Sequence, residues 1–246
     1  MTALISAKDL AISFGGVIAA EGVSLDVFED DHLAIIGPNG AGKTTFLNIC
    51  TGYLKPSAGS VTFQGKSILG ASPRAITRMG IARAFQIPQL FTEQTVLENM
   101  LIAVASQARR FAPFTPLMNI PERKDAEHLL ELVGCDDVSD RPASELPEGK
   151  RKLVDIALAL ALKPKVLLMD EPTSGVASSE KFEIMDTLIT ALREQQVTSV
   201  FVEHDMEMVS RYANRVAVWN AGHIQSQGTP DEVLQDPEVV RTVIGV

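Results

Sequence analysis

The segment Gly37-Pro38-Asn39-Gly40-Ala41-Gly42-Lys43-Thr44 has the residue types and spacing to hold a polyphosphate, fitting G-x-x-x-x-G-K-[ST]. Its glycines let backbone N–H groups approach phosphate oxygens, the Lys43 ammonium suits the β- and γ-phosphates, and the Thr44 hydroxyl suits a Mg²⁺ ion. A second cluster closes the apolar run Val166-Leu167-Leu168-Met169 with two carboxylates, Asp170 and Glu171. Open α/β sheets put their ligands at such strand ends; there Asp170 suits Mg²⁺ and Glu171 suits a water attacking a γ-phosphorus.

These groups need a sheet to position them. Leu33-Ala34-Ile35-Ile36 reads as a buried strand before the glycine loop, and Phe46 and Leu47 open a helix after it. Val166–Met169 and Ser199–Val202 are two more buried strands, separated by a helical pattern of Phe182, Met185, Leu188, Ile189 and Leu192. Strand, helix, strand in that order predicts an α/β fold with a parallel-sheet core. Val23–Phe28 alternates and Gly59–Gly65 is a short strand bounded by glycines, which together predict an antiparallel β layer. From Ile87 to Leu162 only helical periods occur, at Val96–Val104 and Ala126–Val133, around the connector Phe111–Pro116; this reads as an inserted helical subdomain. Near the end come a strand at Val216–Trp219, a turn at Asn220–Gly222, a second strand from His223 and a short helix after Thr229-Pro230. The expected division is a single domain, with 1–86 and 163–246 as nucleotide-binding core and 87–162 as helical subdomain.

Composition narrows the function classes. With 246 residues and 46% hydrophobic content the chain can bury a real core. A net charge of −9 argues against a nucleic-acid or anionic-membrane surface, and no run approaches the roughly 18 apolar residues of a membrane span. The start of the chain lacks a basic segment followed by an apolar core, so secretion is not expected. Cys50 and Cys135 form no disulfide framework or zinc spacing and are expected to be reduced and buried. His32, His128 and His223 read as ordinary surface or turn residues.

With Gln86 after Arg83-Ala84-Phe85 and His204 after Val200-Phe201-Val202-Glu203, the set resembles the ATPase subunits of ATP-binding-cassette (ABC) transporters. The resemblance spans nearly the whole chain and implies a P-loop NTPase fold with ATP and Mg²⁺ as cofactors. It implies that Gln86 reaches Mg²⁺ and the attacking water, that His204 hydrogen-bonds the γ-phosphate, and that Glu171 is the catalytic carboxylate. Metal ligands would be Thr44, Gln86 and Asp170. Phe14, in Ile12-Ser13-Phe14-Gly15-Gly16, matches the aromatic that stacks on adenine, with Val17 beside it, while Asn39, Gly40, Ala41, Gly42, Lys43, Thr44 and Thr45 would hold the phosphates.

Two segments depart from the family pattern. The signature, usually Leu-Ser-Gly-Gly-Gln, contacts the nucleotide of the opposite subunit; here it reads Leu146-Pro147-Glu148-Gly149-Lys150. Gly149 and the following helix keep a backbone anion site, but Pro147 removes the hydroxyl and Glu148 adds a negative charge, partly offset by Lys150, Arg151 and Lys152. Ala177 stands where an Asp or Asn is usual at the dimer seam. Ser13–Gly16, Asn39–Phe46, Arg83–Gln86, Val202–Met206 and Gly228–Val233 are most similar to the ATPase subunits of bacterial importers for branched-chain amino acids and related hydrophobic or amide substrates. That resemblance implies a second, often non-identical ATPase subunit, transmembrane permease subunits, an extracytoplasmic solute-binding protein, and a place on the cytoplasmic face of the membrane. The groove near Gln86 and 88–99 would receive the permease. Two alternatives stay open: a soluble cassette ATPase not coupled to transport, and a nucleotide-gated subunit with weak hydrolysis. The first usually needs two cassettes or long coiled coils and a basic face, which this chain lacks, so no nucleic-acid partner is expected.

Overall fold

The computed structural model describes residues 3–109 and 116–244; Phe111–Thr115 of the expected connector lie outside the described residues. In chain order the strands are β1 (Ala3–Phe14), β2 (Val17–Phe28), β3 (His32–Ile36), β4 (Ala58–Phe63), β5 (Lys66–Ser67), β6 (Ile81–Ala84), β7 (Val166–Asp170), β8 (Thr198–Val202), β9 (Arg215–Asn220) and β10 (His223–Gly228). The helices are α1 (Lys43–Cys50), α2 (Pro73–Met79), α3 (Val96–Gln107), α4 (Arg123–Leu132), α5 (Glu148–Ala161), α6 (Lys181–Glu194), α7 (Met206–Tyr212) and α8 (Pro230–Leu234).

Two sheets form. The smaller is antiparallel in the order β2-β1-β4-β5, and the larger has six strands in the order β10-β9-β3-β8-β7-β6. In the larger sheet β9, β3, β8, β7 and β6 run parallel, and β10 turns back on β9 as an antiparallel edge. Side chains alternate across a strand. On β3, Leu33 and Ile35 therefore join the core shared with the antiparallel sheet and α1, while Ala34 and Ile36 join the core shared with α3, α5, α6 and α7. Being buried on both faces is what makes β3, β7 and β8 continuous apolar runs.

Between β6 and β7 the described residues form helices and loops. The entry is set by Thr95, whose hydroxyl accepts from Glu98 N at 3.1 Å while the Glu98 carboxylate accepts from Thr95 N at 2.8 Å. Helices α3, α4 and α5 pack on one another through Val96, Met100, Leu101, Leu129, Leu130, Leu153 and Val154. Several elements went without a sequence expectation, among them β5, β6, α2 and α7. Strand β6 has only four residues and carries Arg83, so it shows no periodicity; α2 is a short helix capped by Ser72.

Among the described residues no helix is long and apolar enough to cross a membrane. Both cysteines are buried and free, and burial pushes their thiols up, Cys50 to about 12 and Cys135 to about 11.

Candidate nucleotide site

The strand order makes the site. β3, β8, β7 and β6 are consecutive neighbours in one parallel sheet, so their C-terminal ends deliver the glycine loop, His204, Asp170-Glu171 and Gln86 side by side.

The glycine loop turns from β3 into α1. A Cβ at Gly37 would sit 1.9 Å from the Trp219 carbonyl oxygen, and one at Gly42 would sit 1.9 Å from the Ala19 oxygen and 2.7 Å from Trp219 Nε1. Gly42, at φ 118°, precedes α1 and leaves its first turn without a side-chain cap, so those N–H groups are available to an anion. Asn39, Gly40 and Thr44 are exposed, Thr45 is half-buried, and Ala41 and Gly42 are buried. Lys43 is folded back, its Nζ donating to Gly37 O at 2.7 Å and Pro38 O at 2.9 Å. Burial lowers its pKa, against the pull of Glu171 and Asp170. The lysine thus lies inside its own loop with both site carboxylates close enough to act on its charge.

Asp170 accepts from the Thr44 hydroxyl at 3.2 Å on one oxygen and from Arg83 at 3.0 Å on the other. The Arg83–Asp170 pair is buried, and Arg83 also donates to Asn48 and lies 5.0 Å over the Phe85 ring. In the sequence Arg83 stands out only as a neighbour of Gln86. Its role needed β6 to be paired with β7, which sets Arg83 opposite Leu168 and aims it along the strand toward Asp170.

Glu171 is held on both carboxylate oxygens. Gln86 Nε2 donates to Oε2 at 3.1 Å and His204 Nε2 lies 3.1 Å from Oε1. Its backbone sits at φ 52°, a left-handed conformation that a non-glycine residue adopts at a cost of about 1–2 kcal/mol, and its N–H bonds Val202 O at 3.1 Å. Behind it, buried Glu203 accepts from Thr173 Oγ1 at 2.8 Å and from His204 N at 3.0 Å, fixing the turn that carries the imidazole.

Phe14 and Val17 flank the β1–β2 turn and are exposed, 46% and 61%. That hairpin reaches the glycine loop through one turn: Glu21 N bonds Gly222 O at 2.8 Å, and Gly222 N bonds Ala41 O at 3.1 Å. At the other end, α5 begins at Glu148 with Pro147 as N-cap and no side-chain cap. Leu146 and Gly149 face inward, while Pro147 is exposed and Glu148 and Lys150 are half-buried. The neighbouring cations are spent within the chain. Lys150 bonds Gly134 O and Asp137 and Arg151 bonds Leu146 O, so the offset to Glu148 comes from Arg151 at 3.8 Å and from the charge of buried Lys152, on which Glu148 acts.

The donors for a cation are oxygens: the Thr44 hydroxyl and the Asp170 carboxylate 3.2 Å apart, with the Gln86 amide one hydrogen bond beyond, on Glu171. Hard oxygen donors fit Mg²⁺. Among the described residues there is no cluster of three or more His, Cys, Asp or Glu that could hold a metal ion.

The family described as "ABC transporter" matches residues 20–174. The chain is 37% identical over 251 residues to the high-affinity branched-chain amino acid transport ATP-binding protein LivG of Salmonella typhimurium, with 98% of each covered. It is 33% identical to the corresponding protein BraF of Pseudomonas aeruginosa, again with 98% of each covered. Among solved structures, the ADP conformation of MJ1267, an ATP-binding cassette of an ABC transporter, aligns with a TM-score of 0.86 at 34% identity over 100% of both chains.

Proposed function

This chain belongs to the ABC transporter family as an ATP-binding, ATP-hydrolysing subunit, and on that footing we propose that it powers a membrane importer for branched-chain amino acids or related small solutes. The observation that carries the catalytic part is Glu171 held between Gln86 and His204, next to a glycine loop on the same sheet edge. The substrate class rests on LivG and BraF, whose names state it.

In this reading Phe14 and Val17 cover adenine, and the backbone from Asn39 to Thr45 cradles the phosphates. Lys43 leaves its own carbonyls for the β- and γ-phosphates. Thr44, Asp170 and Gln86 would hold Mg²⁺, which neutralises charge on the phosphates when bound. Glu171 orients and polarises the attacking water; His204 steadies Glu171 and meets the γ-phosphate. Little covalent chemistry is asked of the protein, so positioning and charge do most of the work.

Two chains close on each other, each nucleotide lying between one chain's glycine loop and the other's Leu146–Lys150. The uncapped α5 N-terminus supplies the anion contact from backbone N–H groups. The partner is a second ATPase subunit, a heterodimer being the expectation with a homodimer as fallback. Residues 87–162 act as the helical subdomain, beside 1–86 and 163–246 as the core. A cavity of about 270 Å³ lined by Phe85, Gln89, Phe91, Asn99, Ile102 and Leu158, beside exposed Ile87, is where permease subunits dock. This would set the chain on the cytoplasmic face of the membrane, below an extracytoplasmic solute-binding protein.

A weakly hydrolysing, nucleotide-gated subunit is the second reading, favoured by Pro147 and Glu148 at the signature position. Affinity purification from membranes followed by identification of the associated chains tests the transport role, and recovery without any permease would defeat it. Turnover of the reconstituted complex, with Glu171→Gln as control, separates the two readings.

A further inference from the structure

Helix α5 carries two charged side chains that are buried rather than solvated. Asp155 is 7% exposed and Lys152 is 3% exposed. They stand three residues apart, hence on one side of the helix. Asp155 accepts from Phe85 N on one oxygen and from Gln89 N on the other, each at 3.1 Å. Those two amides bracket Gln86. Lys152 Nζ donates to Gln86 O at 3.3 Å and to Glu171 O at 3.0 Å.

We propose that Asp155 and Lys152 are positioning residues through which α5 clamps the Gln86 loop to the Glu171 turn, so that a disturbance at the α5 N-terminus is passed to the Gln86–Glu171 pair. All four hydrogen bonds go to main-chain groups, so the two side chains hold the backbone and leave the Gln86 and Glu171 side chains free to work. Keeping two charges buried costs free energy, and apolar residues would pack this face of α5 without that cost. Burial pushes the Asp155 carboxyl up to about 6 and lowers the Lys152 pKa, and the carboxylates that face Lys152 are Glu148, Glu171, Glu203 and Asp155. Glu148 belongs to the first turn of α5, so the charge at the signature end acts on the lysine that holds the catalytic turn.

The inference rests on the ATPase reading above, and its test separates the two. In the full-length chain, assembled with its partners, Asp155→Ala and Lys152→Met should lower kcat for ATP by about tenfold or more while leaving KM within about threefold, because the glycine loop is untouched. Lys152→Arg should restore part of kcat. In a Gln86→Ala background, Asp155→Ala should cost little further, since the two act as one unit. Additive losses, or full kcat in the single variants, overturn the proposal. A readout independent of turnover is amide exchange: Asp155→Ala should speed exchange at Phe85 and Gln89 by about tenfold while β6 keeps its protection. Unchanged exchange at those two amides overturns the clamp even if the variants lose activity. If the parent complex hydrolyses no ATP, the ATPase reading falls and exchange alone decides the clamp. Should Asp155→Ala not fold, Asp155→Asn, which keeps one acceptor, is read by the same two measurements.

Discussion

His204 Nε2 lies 3.1 Å from Glu171 Oε1, which joins the second residue after β8 to the first residue after β7 across neighbouring strand ends. Under the proposed function this arrangement would separate nucleotide binding from chemistry, because neither side chain belongs to the glycine loop. Glu171→Gln keeps the shape and one acceptor but removes the charge proposed to polarise water. It should bind Mg²⁺–ATP about as tightly as the parent, lose roughly 10²–10⁴ in kcat, and accumulate as a closed dimer. Full turnover of that variant in a transport-competent complex would remove Glu171 from the catalytic role.

Lys43 is held by carbonyl oxygens of its own loop, so in the proposed binding mode ATP takes the ammonium from Gly37 O and Pro38 O. Lys43→Ala should abolish measurable ATP binding by equilibrium dialysis while leaving the circular dichroism spectrum unchanged. Binding of ATP within about threefold of the parent would show that the loop amides alone suffice.

The chain's one tryptophan, Trp219, packs its indole against Gly42 and lies 5.4 Å from the Phe46 ring. Intrinsic emission should therefore shift on titration with ATP, and a flat signal alongside proven binding would mean the loop does not move against β9. Gly42→Ala drives a Cβ into Ala19 O at a positive φ. It should destabilise the fold by about 2 kcal/mol or more, read from the urea midpoint.

Burial holds the Asp155 carboxyl at about 6, above its ordinary value of 3.8. A raised folded-state pKa means that the folded chain binds this proton more tightly than the unfolded one. The associated stability is full below about pH 4 and is lost as pH rises through 6, a change of up to about 3 kcal/mol. Asp155→Asn lacks that titration. The difference in unfolding free energy between parent and variant should therefore move against the parent from pH 4 to 7.5, and parallel profiles would refute the assignment.

The thiols of Cys50 and Cys135 are buried and pushed up to about 12 and 11. Neither should react with a maleimide at pH 8 in the folded chain, and both should react in urea. Rapid labelling of either in the native protein would contradict the packing around it.

Much of the site was legible because its parts are local. The glycine loop, the strand before it and the helix after it lie within one short stretch, and Asp170-Glu171 ends an apolar run that reads as a buried strand. The helical periods at 96–104 and 126–133 were legible from spacing alone, and the helices there run Val96–Gln107 and Arg123–Leu132. The clamp residues were not. Asp155 looked like a lone charge in the apolar run from Leu153, and Lys152 like a surface counter-charge to Glu148, because periodicity cannot tell which side of α5 meets the Gln86 loop.

Residue order alone determined which groups could do phosphate chemistry, since that capacity depends on side-chain type and on spacing over a few residues. Tertiary structure decided which of them touch. Glu171 meets Gln86, 85 positions away, and His204, 33 positions away, because β7 happens to lie between β6 and β8. Strand order is a global outcome of packing helices on both faces of the sheet, and no local pattern in the chain encodes it.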